Sequence, residues 1–189
     1  MNAAPDPRRA PLDGVLPWGL PGGAVSLSEL RFAEQIVVRA QPPVAAYLAG
    51  VPLAMQPGRV AVMREVRTLW LGPDEWLVTA PRGAAPDLMG RLARALAGRH
   101  ASIIDLSAAR AIIEIGGSRA RELLETGCAL DLHPREFGPG RCARTVLARL
   151  PVIIDQTGAD AYRLFVRRSA ARWLIEWLID AAEEFRFAP

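Results

Sequence analysis

The sequence predicts an α+β fold in which two pseudo-repeated βαββα halves, each ferredoxin-like, form one domain. Three observations carry this. Residues 35–40 (QIVVRA) and 111–115 (AIIEI) are strand-length, apolar and β-branched, and 161–166 (AYRLFV) alternates as a half-buried strand should. Residues 85–98 and 169–185 carry apolar stripes at helical spacing. These elements also recur in one order, about 75 residues apart: QIVVRA corresponds to AIIEIG, PPVAAYL to SRARELL, the GPDEW hairpin to the QTGAD hairpin, and the first long helix to the last. A βαββα unit cannot bury both faces of its sheet alone, so it pairs naturally with a copy. The repeats span about 33–98 and 103–186 within a domain of 25–189.

In chain order, residues 1–23 hold five prolines and little apolar periodicity, so residues 1–24 are expected to form a flexible arm. Trp18 is the exception, because a Trp in such an arm folds back on its own domain or docks on a partner. After the strand at 35–40 comes a short helix over 43–48, with Pro43 at its first turn. Extended segments at 60–63 and 67–71 follow, and LWLGPDEWLVT (69–79) reads as a hairpin with Pro73 in its turn. The helix at 85–98 faces inward with Leu88, Leu92, Ala95 and Leu96.

The best-specified unit is 105–137. Its strand breaks at Gly116-Gly117, Ser118 caps a helix carrying Ala120, Leu123 and Leu124 on one face, and Gly127 supplies a left-handed stop. Residues 144–150 and 152–155 read as strands divided by Pro151, with a turn at 156–160. Ser169 caps the last helix, whose stripe runs through Trp173, Leu174, Trp177 and Leu178. Ile175 and Ile179 widen that stripe beyond one sheet contact, which implies a second burial surface.

Composition narrows the function classes. The net charge is +3, yet all 23 basic residues are arginine and they are scattered, without the clustered stripe of a nucleic-acid surface. No apolar run reaches the ~20 residues of a membrane helix. Two cysteines and no basic-then-apolar start point to a reducing, cytoplasmic setting.

The search for chemistry finds little. Cys128, Asp131, His133 and Cys142 match no zinc spacing. Ser107 and Ser118 lie outside any nucleophile elbow. Gly116-Gly117 lacks the third glycine of a dinucleotide fingerprint, so tight turning explains it. Asp105, Asp131 and Asp155 stand at element ends, where carboxylates ordinarily accept backbone N–H bonds.

Several spaced motifs bring a family into view: LWLGPDEWLV (69–78), IIDLSAARAIIEIGGSRARELLETGCALDLHP (103–134), FGPGRCARTVLA (137–148) and YRLFVRRSAARWLIEWLIDAA (162–182). Together they resemble the gamma subunit of heterotetrameric sarcosine oxidase. More distantly they are similar to the folate-binding domain of aminomethyltransferase (T-protein), which the repeated halves also fit. The resemblance implies an accessory subunit, not itself catalytic, in a complex that oxidatively demethylates sarcosine to glycine and hydrogen peroxide and passes the one-carbon unit to tetrahydrofolate. It implies alpha, beta and delta subunits as partners, with FAD, FMN, NAD and tetrahydrofolate held there and none bound by this chain. Against the folate-binding pattern, Ala108 stands in place of the family's histidine, the V-I-D-D run becomes Val152-Ile153-Ile154-Asp155, and Val166-Arg167-Arg168-Ser169 replaces a V-N-S-A-like segment. Asp155 alone remains as a folate-site carboxylate. Trp18, Arg167, Arg168, Ile175 and Ile179 are the candidate partner contacts. The alternative is a stand-alone folate-binding protein of the aminomethyltransferase type.

Overall fold

A computed structural model describes residues 10–186. The first half contains β1 (Trp18–Gly19), β2 (Ser26–Glu29), β3 (Glu34–Ala40), β4 (Tyr47–Leu48), β5 (Val51–Pro52), β6 (Val60–Met63), β7 (Val66–Gly72), β8 (Glu75–Ala80) and α1 (Ala85–Ala95). The second contains β9 (Ala101–Asp105), β10 (Arg110–Gly116), α2 (Ala120–Glu125), β11 (Cys142–Leu147), β12 (Leu150–Gly158), β13 (Ala161–Arg167) and α3 (Ala171–Ala182). One sheet has the order β6-β7-β8-β3-β9 and the other β1-β2-β10-β13-β12-β11, while β4 and β5 form a separate hairpin.

Side-chain alternation divides the core into layers. In β3, Ile36, Val38 and Ala40 face α1, together with Trp76 and Val78 of β8 and Leu88 and Leu92 of α1. In β10, Ala111, Ile113 and Ile115 face the opposite side, against Leu123 of α2 and Leu174, Ile175 and Leu178 of α3. The intervening residues Val37, Leu77, Ile112, Ile153 and Phe165 meet between the two sheets. Both faces of each central strand are therefore covered, which is why β10 reads as an unbroken apolar run.

The strands β6-β7-β8-β3 and β11-β12-β13-β10 occupy the same order in their sheets. The next strand in each sheet is exchanged. β2 directly precedes β3 in the chain but pairs with β10, with Leu27 opposite Ile115. β9 directly precedes β10 but pairs with β3, with Ile104 opposite Val37. Each sheet thus takes a strand from the chain ahead of the other sheet's central strand.

Several local expectations change. Residues 43–48 form no helix: they run extended into β4, and the β4–β5 turn uses Ala49 and Gly50, both at positive φ. Two adjacent prolines oppose a helix here, since the residue before a proline is pushed out of the α region. Neither Ser118 nor Ser169 makes a side-chain cap. Gly127 has no positive φ; a Cβ there would collide with the Trp177 ring, so it serves close packing. The β11–β12 turn falls at Ala148-Arg149, both at positive φ, and Pro151 lies inside β12. Pro151 faces β11, and pairing with β13 begins only at Val152, so its missing N–H interrupts no ladder on that side.

The expected arm also differs. Residues 1–9 lie outside the described residues, but Leu12, Leu16 and Leu20 are buried against the α2–α3 face and Trp18 pairs with Leu27. Prolines keep the regular elements there short, a 3-10 turn at Pro21–Gly23 and the two-residue edge strand β1, but they do not prevent apolar side chains from filling a core edge.

Candidate functional site

Asp155 is the candidate with the most structure around it. β12 carries it opposite Cys142 on one side and Arg163 on the other, and its side chain is fully buried. Arg67, reaching from β7 of the other sheet, donates from Nε to Oδ2 at 3.0 Å and from Nη2 to Oδ1 at 2.8 Å. This bidentate fork occupies both carboxylate oxygens and spans the two sheets. Burial pushes the Asp155 carboxyl up from its ordinary value, with the Arg67 hydrogen bonds and charge pulling the other way.

A cleft of about 390 Å³ lies beside this pair, lined by Arg64, Arg67, Thr79, Thr157 and Arg163. Its charged lining is Arg64, Arg67, Arg163 and Glu65, and does not include Asp155. A folate-type ligand needing the Asp155 carboxylate would have to displace Arg67 and leave its largely buried guanidinium without a partner. Ala108 is exposed on the β9–β10 loop and carries no ring. At this position the one carboxylate that the folate-binding pattern retains is already held by Arg67.

The other polar candidates are held within the chain. Asp105 Oδ1 accepts from Ser107 N at 2.8 Å, and Gln35 N donates to Ser107 Oγ at 2.9 Å, which ties the β9–β10 loop to β3. Asp131 accepts from His133 N at 2.9 Å. Cys142 is buried, with Sγ 3.4 Å from Arg59 O and 3.5 Å from Trp70 O, while Cys128 Sγ lies 3.7 Å from Thr145 Oγ1. Burial, reinforced by Asp155, pushes the Cys142 thiol up to about 12. Among the described residues no group of three or more His, Cys, Asp or Glu could hold a metal ion. At Gly117 (φ 115°) a Cβ would run into the carbonyl oxygens of Gly23 and Ala24, so the glycine admits the protein's own backbone.

The predicted partner contacts fall in two places. Trp18, Ile175 and Ile179 lie on the α2–α3 side. Ile175 is fully buried and is no surface residue: the wide α3 stripe meets α2 as well as β10, so its second burial surface is internal. Trp173, expected on that stripe, is instead half exposed. Arg167 ends β13 and Arg168 begins the turn into α3, and both are exposed. The sequence reading missed Arg67 and Arg110; the available signal was an arginine in or at the start of an apolar strand, second in β7 and first in β10.

Among the described residues no helix is long and apolar enough to cross a membrane. Comparison with known proteins then places the chain. Residues 40–184 match the sarcosine oxidase, gamma subunit family. The chain is 41% identical over 187 residues to a sarcosine oxidase subunit gamma from Arthrobacter sp, covering 94% of this chain and 91% of that one. It is 38% identical over 191 residues to the subunit of the same name from Corynebacterium sp. strain P-1, covering 96% and 93%. Among solved structures it is similar to a chain of heterotetrameric sarcosine oxidase from Corynebacterium sp. U-96, with TM-score 0.87 and 36% identity over 96% of this chain and 98% of that chain. It also shares its fold with glycine cleavage system aminomethyltransferase T from Bartonella henselae, with TM-score 0.64 and 18% identity over 83% of this chain and 46% of that one. A family match over most of the chain, joined to relatives of this identity and coverage, means that the chain belongs to the sarcosine oxidase gamma subunit family.

Proposed function

We propose that this chain is the accessory gamma subunit of a heterotetrameric sarcosine oxidase, a complex that oxidatively demethylates sarcosine to glycine and hydrogen peroxide and transfers the one-carbon unit to tetrahydrofolate. The observation that carries the proposal is the end-to-end likeness to a chain of such a complex. The interior supports it: Asp155, the one carboxylate retained at the folate-like position, is spent on an inter-sheet ion pair. In this reading alpha, beta and delta subunits are the partners, they hold FAD, FMN, NAD and tetrahydrofolate, and the complex works in the cytoplasm. This chain supplies surface and no chemistry.

Two measurements test it. A tagged copy of the full chain, co-expressed with the candidate partner subunits, is expected to recover them in equal amounts. Titration of the isolated chain with tetrahydrofolate is expected to show no saturable binding. Micromolar binding abolished by Asp155→Ala would instead make the chain a folate-binding protein of the aminomethyltransferase type.

A further inference from the structure

The ladder between β10 and β13 treats its charges in two ways. Near the middle, Glu114 stands opposite Arg163, and the two form an ion pair at 3.0 Å. At its end, Arg110 stands opposite Arg167, two like charges directly across an antiparallel pair. Such a pairing is unfavourable unless an anion lies between or beside the two groups. Among the described residues neither side chain is paired with an anion, although Glu75 lies in the field of Arg110. Arg167 makes no hydrogen bond or ion pair among the described residues, and Arg110 Nη1 is buried without a hydrogen-bond partner. Burial and the nearby Arg144 hold the Arg110 guanidinium below its ordinary value.

Both arginines line an open cleft of about 800 Å³, with Leu106 and Ala109 as apolar wall and Arg168 and Ser169 at the entry to α3. No side chain caps that entry, and the first turn of α3 holds no acidic residue, so the positive end of the helix adds to the same field. Arg144, on the neighbouring face of Arg110, is already paired with Glu75, and Arg168 lies in the field of Glu29. Arg110 and Arg167 are left as the groups in need of a counter-charge.

We infer that the Arg110–Arg167 end of the second sheet is a docking site for a carboxylate-bearing segment of a partner subunit, whose Asp or Glu side chains enter the cleft and bridge the two guanidiniums. The inference rests on the proposed role as an oxidase subunit. An open cleft with an apolar wall suits a polypeptide segment, whose backbone and neighbouring side chains cover Leu106 and Ala109 while its carboxylates meet the forks. Two arginines on adjacent strands can each engage a carboxylate bidentately, which a point charge cannot do.

The test uses the full chain with its partner subunits. Arg167→Glu, at an exposed position, is expected to weaken capture of the partners by roughly 30-fold or more and to flatten its salt dependence. Arg110→Gln is expected to weaken capture in the same direction, with the melting temperature of the isolated chain recorded to separate docking from folding. Arg135→Glu, which makes the same charge change on an exposed loop, should leave capture within about twofold of wild type. Unchanged capture by both Arg167→Glu and Arg110→Gln, with wild type assembling normally, overturns the docking site and leaves the subunit role standing. Stabilisation of wild type but not Arg167→Glu by phosphate or citrate, with assembly unaffected, would make this a small-oxyanion site and would also overturn it. Failure of wild type to capture any partner overturns the subunit role itself.

Discussion

Removing Arg67 tests the assignment of Asp155 as a structural rather than a ligand-binding carboxylate. Arg67→Met keeps most of the apolar stem and deletes the fork that holds Asp155 Oδ1 and Oδ2 at 2.8 and 3.0 Å. Asp155 is 0% exposed, so no water replaces what is lost. Breaking a buried pair from one side costs about 3–5 kcal/mol, because the remaining charge stays buried and uncompensated. For a chain of this size that lowers the melting temperature by on the order of 10 °C. The pH dependence has a definite sign. Burial already raises the Asp155 carboxyl, and loss of Arg67 removes the two largest influences that lower it. A carboxyl raised in the folded state is tolerated best when protonated, so its favourable contribution is present below the unfolded value near ~3.9 and is lost as pH rises through the folded value. The deficit of Arg67→Met relative to wild type should therefore shrink as pH falls from 7 toward 5. Urea unfolding at both pH values reads this directly, and Arg67→Met/Asp155→Leu should recover most of the stability. A single variant losing less than about 1 kcal/mol, or a double variant no better than the single, would refute the reasoning.

Other consequences are separable. With its thiol at about 12, Cys142 should resist iodoacetamide in the native chain at pH 8, while half-buried Cys128 reacts first. Because that value is raised in the folded state, wild type should lose stability relative to Cys142→Ala as pH climbs above the unfolded thiol's ~8.5, followed by chemical denaturation. Replacing Ala148-Arg149 by Asn-Gly should raise stability by roughly 1 kcal/mol, since both residues hold positive φ in a two-residue hairpin; an unchanged or lower urea midpoint contradicts the turn. Ile175→Ala should cost about 2–5 kcal/mol as a core truncation, whereas Trp173→Ala should change folding stability by less than about 1 kcal/mol. Equal losses would show that the α3 faces are assigned wrongly.

Much of the fold was legible because it is local. β10, the β7–β8 hairpin and the two long helices announce themselves through side-chain period, and the strand order is consistent with the expected repeat, although the short helix expected at 43–48 is absent. What escaped depends on distant partners. β2 has Leu27 as its one apolar residue and β9 is largely exposed, so neither shows an alternating apolar pattern, and their exchange between sheets is a long-range pairing. The Ala148-Arg149 turn lacks the Asn or Gly that normally marks positive φ. Residues 43–48 offered Pro at a helix start, a signal that a second Pro reverses. Asp155 was singled out as a carboxylate at an element end and through the family resemblance, but its partner Arg67 lies 88 residues away and only the folded sheets bring them together. The opposition of Arg110 and Arg167 was hidden for the same reason: register across a sheet is not written in either strand alone.

In the proposed role this chain serves an oxidase as a subunit while carrying none of its chemistry. Sarcosine-dependent hydrogen peroxide production by the remaining subunits, co-expressed with and without this chain and read beside the yield of assembled complex, tests that role. The account predicts that complex formation and turnover both fall when the chain is omitted and return when it is supplied, including as Asp155→Asn. A complex that assembles and turns over equally well without it would contradict the account.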